Sequence, residues 1–565
     1  MRVRPFVYVA LVGALVWPRV ASAQTPAEVQ ALREQIEQLY RDPALSFLRQ
    51  GKSLETEAPE LVEGEIALYE QRYDDALALA RAAYARVPWL YEARRLEGDI
   101  EELLAIDFQD RGEWASALAH HDRAGDAYAA ALGAARSDAA VYGAECERRR
   151  SLVEIDSERG VYSLPAFDKA VAVCEDAIRA NPDDAVAHEQ AAETYWRLSE
   201  QRFAHGEDAS AAVERTVALA ERGARLDPKS SDAFHRLGIA HGLRAQLLDI
   251  QGKDPAAAAS AAEEALRRAI ALDPALAWPY NALGYVYNWQ AGWQMRHGLD
   301  PDGTIAAAVT VLEEGARRDA TFWKIFRNLG TAHVLAAERR ASFGLDPSAE
   351  LALAEKAVEE ALEINPQGAS AMAVRAAAGR VRAEAAGRRG EDPRPDLERA
   401  AVVAGAALKL NPEESAALRE AATIDLALLA DGSRRGEDPT PLVARVEDAA
   451  ARLEAHNPHD LAAALLPSRA HLLLAEWQLV ARRDPSATWR RARREAEIAR
   501  RRAPGDAEPL LVLAQIEVAE ARGQAGSKLV AASLLCDQAL GINPALAEAQ
   551  ILRADLARRA PRRRG

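Results

Sequence analysis

Proline recurs along this chain of 565 residues at a fixed interval of 46. The interval separates Pro182 from Pro228 and Pro228 from Pro274, and it continues to Pro504 in seven steps without a slip. Ala320 fills the slot where one proline is missing, and the last step, to Pro544, is shorter at 40. So regular an interval predicts a repeat architecture, in which each unit buries its apolar face only against its neighbours.

A second series with the same spacing lies between the prolines. Aspartate recurs every 46 residues, with glycine two residues before it in the first six cases and proline directly after it in the last six. Glycine just past a helix end accepts a left-handed conformation, aspartate caps the next helix, and proline fits its first turn. The motif therefore predicts a tight turn between two helices at Asp208, Asp254, Asp300, Asp346, Asp392, Asp438 and Asp484.

The segments between the turns have a helical pattern. Apolar and small residues recur at spacings of three and four, as at Tyr280, Leu283, Gly284 and Tyr287. Apolar residues make up 49% of the chain and aromatic residues only 6%, so alanine supplies much of the apolar surface. With two turns per unit, each helix would be roughly 18–20 residues long. The sequence predicts an all-α fold, an α-solenoid of antiparallel helix hairpins.

The block Tyr280-x-x-Leu283-Gly284-x-x-Tyr287, with Ala262, Leu266, Ala269 and Pro274 before it, resembles the tetratricopeptide repeat (TPR) family. Phe234, Leu237 and Gly238 match the same signature, as do Phe326, Leu329 and Gly330. The family's usual unit has about 34 residues, so this chain is similar to a long-helix variant found in bacterial exported proteins. The resemblance implies a right-handed superhelix whose concave surface binds peptides.

The amino terminus has the layout of a secretory signal. A short basic stretch precedes an apolar run from Phe6 to Trp17, and Ala21-Ser22-Ala23 provides small residues for cleavage. A membrane anchor would need about 20 apolar residues, so we expect a cleaved signal and a periplasmic or secreted protein. The predicted organisation is a signal peptide (1–23), a helical region of divergent repeats (24–181), a repeat array (182–544), and a capping helix with a basic tail (545–565).

Charge and hydropathy restrict the partners. The formal net charge is −15, and it becomes −18 once the signal and its three arginines are removed. An acidic chain of this kind repels a phosphate backbone, which argues against a nucleic-acid partner. No segment after the signal is apolar enough to span a membrane, although the basic tail leaves an association with an anionic envelope open.

Cys146, Cys174 and Cys536 are the three cysteines of the chain. Cys146 and Cys174 fall on the two helices of one predicted hairpin, so a bridge between them is one interpretation. Buried thiols are the other, and we favour it, because neighbouring units place small residues at these positions and a bridge requires a narrow range of Cα separations.

Catalytic motifs are missing from the sequence. It has no phosphate-binding loop, no kinase catalytic loop, no Gly-x-Ser-x-Gly and no His-Glu-x-x-His. His120-His121-Asp122 is the nearest approach to a metal cluster, but adjacent helical residues diverge, so we interpret it as a solvated helix face. The repeated aspartates would suit a calcium ladder, yet capping explains each of them. We therefore predict no enzyme, no metal site and no cofactor.

Aromatic residues concentrate in two adjacent units between residues 278 and 326. Tyr280, Tyr287 and Phe326 match signature core positions, whereas other aromatic and amide side chains lie on the opposite face of the same helix. In the TPR family that face lines the peptide-binding groove, and packing between units is the competing interpretation. The candidate binding residues are Trp278, Asn281, Tyr285, Asn288, Trp289, Lys324 and Arg327.

These features together predict an exported scaffold that binds an unidentified protein or peptide through its concave surface. The alternative function is an accessory factor that handles envelope polysaccharide or another carbohydrate, because aromatic and amide side chains also suit sugars.

Overall fold

The computed structural model of the protein describes residues 58–110, 113–158, 161–521 and 527–559. The predicted signal peptide and the basic tail beyond Arg559 lie outside these ranges. The described residues form 23 α-helices and no strand. Before the regular array the helices are α1 (Pro59–Tyr69), α2 (Tyr73–Arg86), α3 (Tyr91–Asp110), α4 (Trp114–Ala134), α5 (Ala139–Glu158) and α6 (Leu164–Ala180).

Seven regular hairpins follow, each with a first helix of 20 residues and a second of 17. Every first helix begins 46 residues after the previous one, and so does every second helix. The hairpins are α7 (Ala185–Ala204) with α8 (Ser210–Leu226), α9 (Ser231–Ile250) with α10 (Ala256–Leu272), α11 (Ala277–Arg296) with α12 (Asp302–Arg318), α13 (Trp323–Ser342) with α14 (Ser348–Ile364), α15 (Ala369–Arg388) with α16 (Arg394–Leu410), α17 (Ser415–Arg434) with α18 (Thr440–His456), and α19 (Leu461–Val480) with α20 (Ser486–Arg502). The described chain ends with α21 (Glu508–Glu520), α22 (Ser527–Ile542) and α23 (Ala547–Arg559).

The turn within each regular hairpin has the predicted chemistry. Six glycines, from Gly206 to Gly436, have φ between 67° and 81°. All seven aspartates of the series accept a hydrogen bond from the backbone amide two residues on, at 2.9–3.1 Å, as Asp254 does from Ala256. Capping of the second helix is thus confirmed. The following helix begins one residue after the proline, so the proline precedes the first turn instead of lying in it.

The signature glycines allow the two helices of a hairpin to approach each other closely. A Cβ atom on Gly238 of α9 would clash with Leu266 of α10, and one on Gly284 of α11 would clash with Leu312 of α12. Leu266 and Leu312 are both fully buried. In these two hairpins a glycine of the first helix therefore packs directly against a leucine of the second.

Cys146 of α5 and Cys174 of α6 form a disulfide, with their Cα atoms 4.8 Å apart. The expectation of two buried thiols was therefore wrong for this pair. Both side chains are fully buried in the same cluster, and the hairpin packs closely enough to bring the cysteines into bonding distance. Cys536 is a free, buried cysteine, as expected.

The first helices line the inside of the curve. Within the described residues each odd-numbered helix contacts the next odd-numbered one, from α1 to α23, whereas consecutive even-numbered helices have no comparable contact. Helices that are closer together lie on the concave side of a bent array. The wall of the concave surface is therefore made of first helices.

Successive turns of the superhelix touch each other. The Nδ2 atom of Asn457 donates to the backbone oxygen of Phe203 at 3.1 Å, across 254 residues. Asn543 makes the same contact with Met295, across 248 residues, at 3.2 Å. The rings of His205 and His456 pack with their centroids 4.6 Å apart. A glycine turn of one superhelical turn thus meets an Asn-Pro turn of the next, about five and a half units of 46 residues along the chain.

Candidate binding groove

A cleft of about 200 Å³ opens on the concave side between α7, α9 and α11. Its apolar wall combines aromatic rings of α7 with aliphatic side chains of α9 and α11. Gly242 of α9 lies in the middle of this wall and contributes no side chain, while Trp196 and Asn288 occupy the equivalent positions of the neighbouring units. The lining residues are Trp196, Glu200, Phe203, Ile239, Gly242, Leu243, Gln246, Ala282, Tyr285 and Val286.

Tyr285 forms one rim of the cleft and is accessible from the groove, with 45% of its surface exposed. The surrounding wall raises the pKa of Tyr285 by desolvation, and the side chain of Gln246 nearby acts in the opposite direction. An accessible ring with a polar end suits both apolar and hydrogen-bonding contacts with a ligand.

Glu200 is the carboxylate of the cleft. Desolvation by the surrounding protein raises the pKa of Glu200 to about 7, although Arg197 acts in the opposite direction. The Arg197 guanidinium is engaged elsewhere, because it pairs with Glu154 at 2.8 Å and with Glu193 at 3.3 Å. Within the described residues Glu200 itself makes no ion pair. Its side chain is exposed to the groove, so a ligand can reach it.

Of the predicted binding residues, only Tyr285 lines this cleft. Lys324 and Arg327 of α13 lie close enough to Glu200 to influence the pKa of its carboxyl group, and Arg327 also influences Tyr285. The structure therefore brings Tyr285, Lys324 and Arg327 into one electrostatic environment with Glu200.

The two predicted tryptophans lie elsewhere. Trp278 is 51% exposed at the start of α11, where its ring packs on Phe322 with the centroids 4.2 Å apart. Trp289 is half-buried and packs on a cluster of alanines from α9 and α10, which includes Ala245 and Ala258. The competing interpretation of inter-unit packing therefore applies to Trp289.

The two predicted asparagines join α11 to α13. The Nδ2 atom of Asn328 donates to Asn281 Oδ1 at 2.9 Å, and Asn288 Nδ2 donates to the backbone oxygen of Asn328 at 2.8 Å. Arg327 donates from Nη2 to Asn328 Oδ1, also at 2.9 Å. These amide contacts hold two units together, and Asn288 is only 7% exposed.

Sequence reasoning missed most of the cleft, including Trp196, Phe203, Leu243 and Gln246. The aromatic residues concentrate in residues 278–326, whereas the cleft extends into the two preceding units. The signal that was available is positional: Glu200 and Gln246 are 46 residues apart, at equivalent positions of the first helix.

The residues His120 and His121 do not form a solvated helix face, so that interpretation was wrong. His121 Nδ1 lies 2.8 Å from Glu102 Oε2, and both side chains are fully buried. His120 pairs in the same way with Glu101. The carboxylates of α3 draw these histidines into the interface between α3 and α4. Across the ranges that the structure describes, there is no grouping of three His, Cys, Asp or Glu side chains suited to a metal ion.

Every described helix is either too short or too polar to cross a lipid bilayer. No protein-family model matches the chain, and no curated protein sequence is similar to it.

Three solved structures illustrate what the fold is similar to. Yeast Tom70 is 12% identical, with 89% of this chain and 96% of that one aligned and a TM-score of 0.40. The human IFIT1 dimer with PPP-AAAA is 12% identical, with 92% and 94% aligned and a TM-score of 0.37. A thermophilic TPR protein of Thermus thermophilus is 14% identical over 42% of this chain and 98% of its own, with a TM-score of 0.30.

The arrangement of the helices defines the fold directly. Its hairpins stack in sequence order, with first helices on the inside. Gly238, Gly284 and Gly330 lie where the repeat signature places them, each against a buried aliphatic side chain of the second helix. In fold, the chain is an α-solenoid of stacked antiparallel helix hairpins, with glycines at the positions of the tetratricopeptide signature.

Proposed function

We propose that the protein is a noncatalytic scaffold that binds an extended segment of another protein in its concave groove. The observation that carries this proposal is the accessible cleft between three consecutive first helices. The apolar part of one side chain of the bound segment would enter between Trp196 and Leu243, and Tyr285 would cover it. Burial of one such side chain contributes about 1.5–3 kcal/mol, and the stacked helices hold the cleft in place before binding.

Binding would take place outside the cytoplasm. The signal-like segment of residues 1–23 supports this part of the proposal, and so does the disulfide between Cys146 and Cys174, because such bonds persist in oxidising compartments. Mass spectrometry of the protein from its native cells tests export directly. A mature chain that starts at Gln24 is expected, and a chain that retains residues 1–23 in the cytoplasm contradicts it.

The groove is tested with a random nonapeptide display library, panned on the full chain. Selected peptides are then titrated by fluorescence anisotropy against wild type, Trp196→Ala and Tyr285→Ala. At least tenfold weaker binding is expected for both variants, because each removes a wall of the cleft. Trp278→Ala is the matched control, since it removes an exposed tryptophan from the same array but outside the cleft. Equal affinities for all four proteins would contradict the proposal.

The carbohydrate alternative has less support. It depends on accessible amide groups that bond sugar hydroxyls, but Asn288 is only 7% exposed, and Asn281 and Asn288 each use one amide atom to join α11 to α13. Glycan-array binding by the same proteins separates the two functions.

A further inference from the structure

Glu200 gives the cleft a chemical preference. Its carboxylate is accessible in a wall that is otherwise mostly apolar, and the arginines of the neighbouring helix positions on α7 and α9 pair with other carboxylates. Arg197 pairs with Glu154 and Glu193, and Arg236 also pairs with Glu193. A partly desolvated carboxylate without an ion pair is costly, and a ligand that supplies a cation removes that cost.

We propose that the cleft receives one lysine or arginine side chain of the bound segment, with the aliphatic stem on Trp196, Phe203 and Leu243 and the cationic head on Glu200. This inference rests on the proposed groove binding and specifies its ligand. Lysine and arginine are the side chains that cover apolar surface with a long stem while the charged end stays at a polar site. The net charge of −15 favours the approach of such a ligand.

Other classes of side chain fit less well. An acidic side chain would place two carboxylates together in a desolvated site, which is unfavourable. A purely apolar side chain would fill the cleft but deepen the desolvation of Glu200 without pairing it. The basic side chain satisfies both the apolar wall and the carboxylate.

Lys324 and Arg327 limit the number of basic residues in the ligand. Both cations lie on α13 and lower the pKa of Glu200. Arg327 makes no ion pair with the described residues. A second basic residue directed towards α13 would meet these like charges, whereas an acidic residue would be attracted there. The favoured ligand therefore has one basic residue with a neutral or acidic neighbour, and a polybasic run is disfavoured.

The test uses the peptides selected on the full chain. We expect them to share a single lysine or arginine. Replacement of that residue by norleucine, which keeps the stem and removes the charge, should weaken binding to wild type at least tenfold. The same replacement should change binding to Glu200→Gln less than twofold, because the charge then has no partner. Glu476→Gln, at the equivalent position six units along, should behave as wild type.

The pH dependence provides a second readout. Glu200 loses its charge as the pH falls through about 7, while lysine stays protonated. Binding of the lysine peptide should therefore be about five- to tenfold weaker at pH 6 than at pH 8, and Glu200→Gln should remove this dependence. The other charged groups facing Glu200 are Arg197, Glu193, Lys324 and Arg327.

The two proposals fail in different ways. If selected peptides lose affinity for Tyr285→Ala but contain no basic residue, or bind Glu200→Gln with an undiminished norleucine effect, the ligand inference is overturned and groove binding stands. If Tyr285→Ala binds every peptide as wild type does, or if no peptide is selected, groove binding itself fails and the inference fails with it.

Discussion

Individual glycines decide how closely the helices of a hairpin pack. Gly238 is tightly enclosed, because a Cβ there would lie 2.7 Å from Leu266 Cδ2 and 3.2 Å from the Ala262 oxygen. Gly405 of α16 has no neighbour within 4 Å of the same atom. Both glycines lie within helices, so replacing each of them by alanine separates the effect of packing on stability from the effect of helix propensity.

We predict that Gly238→Ala destabilises the protein by about 1–3 kcal/mol, because overpacking outweighs the better helix propensity of alanine. Gly405→Ala should instead stabilise it by up to about 1 kcal/mol. Urea denaturation followed by circular dichroism measures both. Midpoints that shift in the same direction would contradict the packing argument.

Glu147 of α5 supplies a pH-dependent contribution to stability. Desolvation raises the pKa of Glu147 to about 7, against the opposing effect of Arg150. The pKa of Glu147 is thus higher in the folded protein than in the unfolded one, where it is 4.5. The contribution of this group to stability is therefore complete below pH 4.5 and is lost as the pH rises through 7. Glutamine stays neutral throughout and can still accept the hydrogen bond from Gln190.

Glu147→Gln should therefore raise the free energy of unfolding by about 1–3 kcal/mol at pH 8. The gain should shrink towards pH 5, where the wild-type carboxyl is protonated. Denaturation curves at both pH values provide the measurement. A difference that does not vary with pH would show that the carboxyl charge has no such role.

The sequence predicted contacts between residues close together in the chain better than contacts between side chains of different helices. The capping aspartates were predictable because a cap depends on residues next to one another in sequence. The Cys146–Cys174 bridge and the buried His121–Glu102 pair depend on how two helices face each other. The composition of either helix alone does not determine that geometry.

The turns of the regular hairpins obey one backbone rule with one exception. Six of them place glycine in the left-handed region, but the seventh has Arg482 there, with φ of 56°. A side chain in this region strains the backbone. The strain arises at the point where α19 ends and α20 must reverse direction.

Reciprocal substitutions at equivalent turns test this rule. Arg482→Gly should raise the unfolding free energy by about 1 kcal/mol, and Gly344→Ala should lower it by a similar amount. A Cβ on Gly344 would meet nothing within 4 Å, so its effect reports on the backbone alone. Thermal unfolding of both variants is the measurement, and a destabilised Arg482→Gly protein would contradict it.

The turn motifs mark both ends of each helix, so the 20-residue length of the first helices followed from the sequence, whereas the second helices, with 17 residues, are shorter than expected. The cleft did not, because it depends on which side chains three successive first helices turn towards one another. Gly242 and Trp196 occupy equivalent positions of their helices, and the missing side chain of Gly242 leaves room in the wall that both residues line.

At the scale of the whole molecule, hydrogen bonds between superhelical turns join units that are far apart in the chain. Asn457 and Asn543 each cap their own turn and also bond the preceding superhelical turn. Asn411 makes the local bond, to the amide of Glu413. It therefore provides a matched control for the contribution of the longer-range bond.

The double variant Asn457→Ala/Asn543→Ala should have a larger radius of gyration, because the turns separate when both bonds are removed. Asn411→Ala should lose only the local cap, at a cost of about 1 kcal/mol, and keep the wild-type dimension. Small-angle X-ray scattering distinguishes them. An unchanged radius in the double variant would mean that hairpin stacking alone sets the pitch.

The bond between Asn457 and Phe203 also affects the order of assembly. Arrays of stacked hairpins ordinarily grow by nearest-neighbour contacts and can nucleate at any unit. A bond across 254 residues forms only after both of its units have folded, so units that fold before the α18–α19 turn have one rim exposed. The α7–α11 segment therefore remains open along this rim until the later units fold and cover it.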